Sequence, residues 1–215
     1  MQDRRGKKKD RNKSVGSRKK ELENYLIVTD TKKTENNYFN GLKSCIPENM
    51  RSKIIIKTKK ADTKTIVEDT LAEFHSNPQY TKPCIVFDRD RVTNFDEIIK
   101  EAKDNSIFCG WSNPCIEIWF FCYFKNMPTI CESKVCCTRF SELFQRKFGQ
   151  EYDKADADIF DKLKRKGNLS QAIKRAEKRD KQFSNDNTQP SECVPCTKVY
   201  EIVKDIVTKA NINLE

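Results

Sequence analysis

Short runs of apolar residues alternate along the first half of the chain with segments in which apolar residues recur every three or four positions. The runs have the length of buried β-strands, whereas the wider spacing is typical of helices with one buried face. The predicted strands are Tyr25–Thr29, Ile54–Ile56, Cys84–Phe87 and Ser106–Gly110. This alternation predicts an α/β domain over residues 21–125, with a mostly parallel sheet of about four strands flanked by helices.

The strand pattern stops near residue 113, and the rest of the chain has only helical spacing. The mostly apolar segment Pro114–Lys125 predicts a helix with Asn113 as its N-cap and Pro114 at its first position. Further helices are predicted at about 137–148, 168–183 and 196–210. We therefore expect residues 126–215 to form a helical C-terminal extension packed on the same core.

Acidic side chains stand at the ends of two predicted strands. Asp30 follows the first strand, and Asp88 and Asp90 follow the third. Because parallel sheets bind ligands beyond the carboxyl ends of their strands, these acids should meet at one edge of the sheet. Carboxylates that face one another repel unless a cation or a proton lies between them, and Mg²⁺ or Mn²⁺ prefers oxygen ligands. The sequence therefore predicts a divalent-cation site at Asp30, Asp88 and Asp90.

Other polar residues are predicted near the rim of this site, among them Asn113 and Glu117. Glu117 lies in an apolar segment, where an unpaired charge would be costly, so it requires a partner. That partner is either a basic side chain of a neighbouring helix or the functional site itself. Arg89 and Arg91 flank the acids and either neutralise them or contact a phosphate group. Lys33, at the start of the first helix, is a further candidate for contacting phosphate.

The formal net charge of +10 is concentrated at the N-terminus. Residues 1–20 contain ten Lys or Arg and two Asp, which leaves a formal charge of +2 for the rest of the chain. A segment this polar buries too little apolar surface to offset the entropy cost of ordering, so we expect a flexible basic arm. The arm either contacts nucleic-acid phosphates without sequence preference or serves as a solubilising leader. A second basic patch at 162–179 suits nucleic-acid backbone or an acidic partner surface.

The ten cysteines raise the question of metal binding or disulfides. Cys193 and Cys196 form a single C-x-x-C, and a zinc site there would need ligands from Cys131, Cys136 or Cys137, so zinc is the less favoured interpretation. The basic start lacks the apolar region of an export signal, and no apolar segment is long enough for a membrane span. Reduced thiols in the cytoplasm are therefore expected. Four further cysteines lie in apolar segments and should behave as small buried hydrophobic residues: Cys84, Cys109, Cys115 and Cys122.

Three motifs together resemble the RloB/AbiLii-like family of bacterial phage-defence proteins, which carry a Toprim-like fold. In the first motif, Thr29–Phe39, a buried strand runs into an acidic residue that is followed by K-T-E-x-x-Y-F. The second motif is Phe87–Asp90, and the third is Ser112–Trp119, with the pattern S-N-P-x-x-E-x-W. The motifs occur in the order of the family, and the similarity spans roughly residues 18–210.

The resemblance implies a Toprim-type, Mg²⁺-dependent nuclease that acts as the effector of an anti-phage, abortive-infection system. It implies an ABC/OLD-type ATPase as a partner and tRNA, another RNA or DNA as the substrate; a second copy of the chain is a further candidate partner. The residues implied in catalysis are Asp30, Asp88, Asp90 and Glu117, of which the three aspartates also bind the metal. The residues implied in substrate binding are Lys33, Glu35, Arg89 and Asn113.

The first motif departs from the family pattern. Where the family has E-G-E, this chain has Asp30-Thr31-Lys32. The shorter Asp30 withdraws its oxygens by more than about 1 Å, and Thr31 lacks the backbone freedom of glycine. Lys32 adds a positive charge where a carboxylate is expected. The alternative is therefore a catalytically degenerate regulatory or nucleic-acid-binding subunit of an ATPase defence complex.

Overall fold

A computed structural model describes residues 21–59, 62–90, 92–183 and 188–212. The strands are β1 Tyr25–Thr29, β2 Ile54–Thr58, β3 Lys82–Asp88, β4 Phe108–Asn113 and β5 Cys196–Thr197. The helices are α1 Thr34–Ser44, α2 Glu48–Arg51, α3 Ile66–Ser76, α4 Phe95–Asp104, α5 Glu117–Cys122, α6 Ser133–Phe148, α7 Ile159–Lys166, α8 Leu169–Asp180 and α9 Val199–Lys209. The predicted basic arm at 1–20 and Arg91 lie outside the described residues.

The strands form a single sheet in the order β2-β1-β3-β4-β5. The first four are parallel, and β5 runs antiparallel to β4. This sheet confirms the predicted α/β class and has one strand more than the four expected. The chain moves from β1 to β2 in one direction and then crosses β1 to reach β3. The strand order therefore reverses between β1 and β3, and at such a point the carboxyl ends of parallel strands open a crevice for ligands.

The central strands β1 and β3 are apolar except at their ends, because both faces of the sheet are covered. In β1, Tyr25 and Ile27 face one hydrophobic layer, whereas Leu26 and Val28 face the other. The first layer contains α1 and the C-terminal helices α5 to α9, and the second contains α3 and α4. Side chains alternate between the two faces of a strand, so a strand buried on both sides lacks polar positions.

The structure differs from the sequence prediction around Asn113. Strand β4 continues to Asn113 and α5 begins only at Glu117, so Asn113 is not a helix cap. Its buried side chain instead donates from Nδ2 to the carbonyl oxygens of Pro190 at 3.4 Å and Ser191 at 3.1 Å. The amide holds a loop that lies far away in the sequence, and local spacing carries no signal for such a contact.

The sequence does not predict β5, because residues 196–210 have helical spacing throughout. Thr197 pairs with Ser112 in the sheet, and their hydroxyl oxygens lie 3.0 Å apart. Thr197 Oγ1 also accepts a hydrogen bond from the backbone N–H of Val199 at 3.1 Å, where α9 begins. One threonine thus ends the strand and starts the helix, and the C-terminal part of the chain contributes to the sheet as well as to its helical cover.

Candidate functional site

A cavity of about 500 Å³ opens at the carboxyl ends of β1 and β3. The segment after β1, the first turn of α1, the end of β3 and the start of α5 contribute to its wall. Among the described residues that line it, the charged ones are six acids and three lysines: Asp30, Glu35, Asp62, Asp88, Asp90 and Glu117, with Lys33, Lys64 and Lys154. This excess of carboxylates favours a cation as a ligand.

Three of these acids, Glu35, Asp88 and Glu117, form what we call the carboxylate trio. Each comes from a different element: the first turn of α1, the last position of β3 and the first position of α5. Glu35 is 3% exposed and Glu117 is fully buried. Burial, together with the negative charges of Glu35 and Glu117, raises the pKa of Asp88 well above its usual range. Asp88 is half-buried, whereas Glu35 and Glu117 are buried, so the three carboxyl groups oppose one another's charge and Asp88 retains a proton more readily than an exposed acid.

Two oxygens of the trio, Asp88 Oδ1 and Glu117 Oε2, are buried and have no hydrogen-bond partner among the described residues. Asn94 Oδ1, on a residue that lines the same cavity, is also buried without a partner. Leaving a buried acceptor unsatisfied costs about 1–3 kcal/mol, and more when the group is charged. Hard divalent cations bind carboxylate and amide oxygens of this kind, so the types of ligand suit Mg²⁺ or Mn²⁺. In the described part of the chain the ligand atoms of the trio do not all lie within 4.8 Å of one another, so a cation would have to draw them closer.

Glu35 belongs to the floor of the cavity, although the resemblance implied only a substrate contact for it. Burial raises the pKa of Glu35, and the charges of Glu117 and Asp30 add to this effect. The hydroxyl of Thr31 donates to Glu35 Oε2 and partly offsets it. A pKa raised in this way means that Glu35 retains a proton at a higher pH than an exposed carboxyl group would.

Asp30 also lines the cavity, but its carboxylate already has two partners. Lys59 forms an ion pair with Oδ1, and the hydroxyl of Thr63 donates to the same oxygen. Both partners follow β2, which lies beside β1 in the sheet. A lysine ammonium therefore neutralises the charge that Asp30 would offer to a metal. Its role as a metal ligand remains a prediction.

Glu117 has a basic partner, as its burial requires. Its Oε1 accepts a hydrogen bond from the Tyr152 hydroxyl at 3.1 Å and lies 3.4 Å from Lys154 Nζ. The loop that carries both residues is tied to α1, because Thr34 Oγ1 donates to the Lys154 carbonyl oxygen at 3.0 Å. Sequence reasoning missed Tyr152 and Lys154, since they lie in a distant acidic loop without a recognisable motif.

The motifs that build this site place the chain in a family. The family model described as "RloB-like protein" matches residues 25–206. This chain belongs to the RloB-like family. The matched span runs from β1 into α9 and includes the whole carboxylate trio. No curated protein and no solved structure matches the chain.

The remaining predicted residues of this RloB-like protein divide between two cavities. Asp90 and Lys33 are exposed and line the main cavity. Arg89 and Asn113 line instead a neighbouring cavity of about 420 Å³, to which Asp90 also contributes. The guanidinium of Arg89 donates to the carbonyl oxygen of Val92 at 2.6 Å. Among the described residues, the predicted acids and Lys33 therefore line one cavity, but no three of these acids have ligand atoms within 4.8 Å of one another; Arg89 and Asn113 line only the neighbouring cavity.

The ten cysteines of the RloB-like chain are free thiols. Cys193 and Cys196 are both buried, and they belong to no group of three or more metal-ligating side chains among the described residues. Of the four cysteines expected to be buried, Cys109 is only half-buried. No helix within the described ranges is long and apolar enough to cross a membrane.

Proposed function

We propose that this RloB-like protein is a nuclease that depends on a divalent cation, Mg²⁺ or Mn²⁺, and acts as a cytoplasmic effector of an anti-phage, abortive-infection system. The substrate would be tRNA, another RNA or DNA, and an ABC/OLD-type ATPase would control the activity. The observation that carries the proposal is the pair of buried oxygens without partners, Asp88 Oδ1 and Glu117 Oε2, in a cavity with an excess of acids. A phosphodiester is itself negative, so it approaches such a cavity only if a cation compensates the charge.

Glu35, Asp88 and Glu117 would hold the cation, with Asp30 and Asp90 at the edge of its site. When bound, a divalent cation lowers the pKa of a water molecule and stabilises the negative charge that develops on phosphate oxygens. The chain's own residues then have two tasks: they position the phosphodiester, and they hold and release a proton.

Lysines around the cavity would position the substrate. Lys154 is the best placed, because its side chain is 54% exposed and its Nζ lies only 3.4 Å from Glu117 Oε1. Once a cation neutralises Glu117, this ammonium is free to turn towards a phosphate oxygen. Lys33 and Lys64 line the same cavity and would contact neighbouring phosphates of the strand.

Burial controls the protonation of the trio. The pKa values of Asp88 and Glu35 are both raised, first by burial and then by neighbouring carboxylates. Without a cation the trio would therefore retain a proton, and it would release that proton when the cation binds. The hydroxyl of Thr31, which donates to Glu35 Oε2, keeps the Glu35 carboxylate oriented during this exchange.

The proposal is tested by assaying purified wild type and three variants on tRNA, other RNA and DNA, with EDTA, Mg²⁺ or Mn²⁺. Asp88→Asn and Glu117→Gln remove charges of the trio, whereas Asp104→Asn removes an exposed carboxylate at the end of α4 and serves as a matched control. We expect cation-dependent cleavage by wild type and the control, and cleavage slower by a factor on the order of 100 in the two trio variants. Equal cleavage by all four proteins would reject a role for the trio.

A non-catalytic subunit that binds nucleic acid or regulates an ATPase is the second candidate function. It is favoured by the two lysines that already neutralise carboxylates of the cavity, Lys59 at Asp30 and Lys154 at Glu117. Under this alternative, wild type binds nucleic acid in the same assay but cleaves none of the substrates with any cation. The ATPase partner belongs to both candidates, so copurification with it would not separate them.

A further inference from the structure

We propose that Cys115, Cys137 and Glu117 form a second metal site, which binds a soft divalent cation of the Zn²⁺ class. The two thiol sulfurs and a carboxylate oxygen lie within 4.8 Å of one another, and no other such group of three occurs in the part of the chain that the structure describes. Ligand atoms around a tetrahedral zinc ion are about 3.4–3.8 Å apart, so small side-chain rotations would close the site. The proposal does not depend on nuclease activity.

The types of ligand distinguish this site from the one that the trio forms. Thiolates are soft ligands and select Zn²⁺ over Mg²⁺, whereas carboxylate and amide oxygens suit the hard cations. Glu117 belongs to both sets, because it lines the cavity and lies beside the two thiols. Zinc sites with three protein ligands keep a fourth position open for water or another ligand.

An independent observation at Glu117 points to a ligand. Its side chain is 1% exposed, and Oε2 has no hydrogen-bond partner among the described residues. Two thiolates and one carboxylate carry a charge of −3, so a divalent ion would leave −1. The ammonium of Lys154, 3.4 Å from Oε1, would make the assembly neutral. A buried site of this composition is therefore electrostatically balanced, as a buried charge must be.

Two adjoining elements hold the thiols in place. Cys115 lies just before α5, and Cys137 lies in α6. The Cys115 thiol lies 3.9 Å from the carbonyl oxygen of Ser133, at the start of α6, which joins the two segments. Cys136, the residue before Cys137 in α6, is a further buried thiol of the same helix. The local sequence predicts only a small buried hydrophobic role for Cys115, because its thiol neighbour Cys137 comes from a different helix.

The test is a titration of the full-length, reduced and metal-free protein with Co²⁺, whose thiolate complexes absorb strongly in the near ultraviolet. We expect one equivalent of Co²⁺ to produce this absorption, Zn²⁺ to abolish it by displacement, and excess Mg²⁺ to leave it unchanged. Cys137→Ser should weaken Co²⁺ binding at least about 10-fold. Cys131→Ser, an exposed cysteine nearby, and Cys193→Ser are controls that should bind as wild type does.

Three outcomes would overturn the proposal: no thiolate absorption, absorption that survives in Cys137→Ser, or absorption that disappears in Cys193→Ser. Cys137 is only half-buried, so its serine variant should fold, and circular dichroism verifies this. The readout is independent of catalysis. Loss of the Co²⁺ signal with cleavage retained would reject this site alone, and the converse would reject only the proposed nuclease.

Discussion

Replacing Asp88 by asparagine should stabilise the metal-free protein, although Asp88 lies at the centre of the proposed cation site. Burial and the charges of Glu35 and Glu117 raise the pKa of Asp88 in the folded state. For an acid whose pKa is raised by folding, the folded state binds more protons than the unfolded state, so stability falls as the pH rises through the interval between the two values. An asparagine has no such penalty.

The size of the stabilisation expected for Asp88→Asn follows from the unsatisfied oxygen of Asp88. Asp88 Oδ1 is buried without a partner among the described residues, which costs about 1–3 kcal/mol. The amide of asparagine brings donors that can pair with the carboxylates of Glu35 or Glu117 and removes one of three like charges. For a chain of this length, 1 kcal/mol shifts the melting temperature by about 2–4 °C, so we expect a rise of about 2–12 °C.

A bound cation should cancel most of this difference in stability or reverse it. A ligand present at about 100 times its dissociation constant stabilises the folded state by about 2.7 kcal/mol. Wild type should gain this stabilisation in saturating Mg²⁺, whereas Asp88→Asn, which lacks a ligand charge, should gain little. Thermal unfolding of both proteins, in EDTA and in Mg²⁺, measures the difference. In EDTA the advantage of the variant should be smaller at about pH 5 than at about pH 8, because protonation relieves the wild type.

The exposed Asp104→Asn variant controls for the loss of one negative charge in general. Its melting temperature should match that of wild type, with and without Mg²⁺. The reasoning is refuted if Asp88→Asn melts below wild type in EDTA, since the carboxylate would then be stabilising as it stands. An equal gain from Mg²⁺ in wild type and variant would refute the assignment of Asp88 as a ligand.

Two further predictions concern proton release and helix packing. Mg²⁺ binding should strengthen from about pH 5.5 to about pH 8, because the raised pKa values of Asp88 and Glu35 make protons compete with the cation. Calorimetry in two buffers of different ionisation enthalpy would detect the released proton. An affinity that does not change with pH would contradict the prediction. Gly41→Ala normally favours a helix by about 1 kcal/mol. Here the added Cβ would lie 2.5 Å from Cβ of Phe160, so we expect the free energy of unfolding to fall by about 1–3 kcal/mol instead, measured by thermal unfolding. An unchanged or higher melting temperature would show that α7 moves aside at little cost.

The local sequence predicted the sheet and the edge that carries the candidate site, because both depend on strand composition. Strand β1 has the predicted bounds Tyr25–Thr29, and β3 extends the predicted Cys84–Phe87 by only a few residues. Once these two strands are adjacent and parallel, Asp30 and Asp88 must lie at the same edge. The motif Ser112–Trp119 likewise placed Glu117 near them, since it follows the next strand in the sheet.

Local sequence patterns could not predict the contacts between segments that are distant in the sequence. Tyr152 and Lys154 reach Glu117 from the loop that precedes α7, far from Glu117 in the sequence. Lys59 reaches Asp30 because β2 lies beside β1, and that proximity depends on strand order. Each of these pairings is decided when the elements pack together, and none leaves a periodic signal in the sequence.

Glu117 is a ligand in both proposed cation sites, and its buried charge must be compensated in every state of the protein. In the state described, Lys154 supplies the compensation at 3.4 Å from Oε1, and Oε2 is left without a partner among the described residues. A cation bound to the trio would take over this task and release the lysine towards the cavity mouth. Cation binding and phosphate binding would then reinforce one another through a single side chain. Lys154→Met should weaken this coupling and leave Asp88 free to bind the cation.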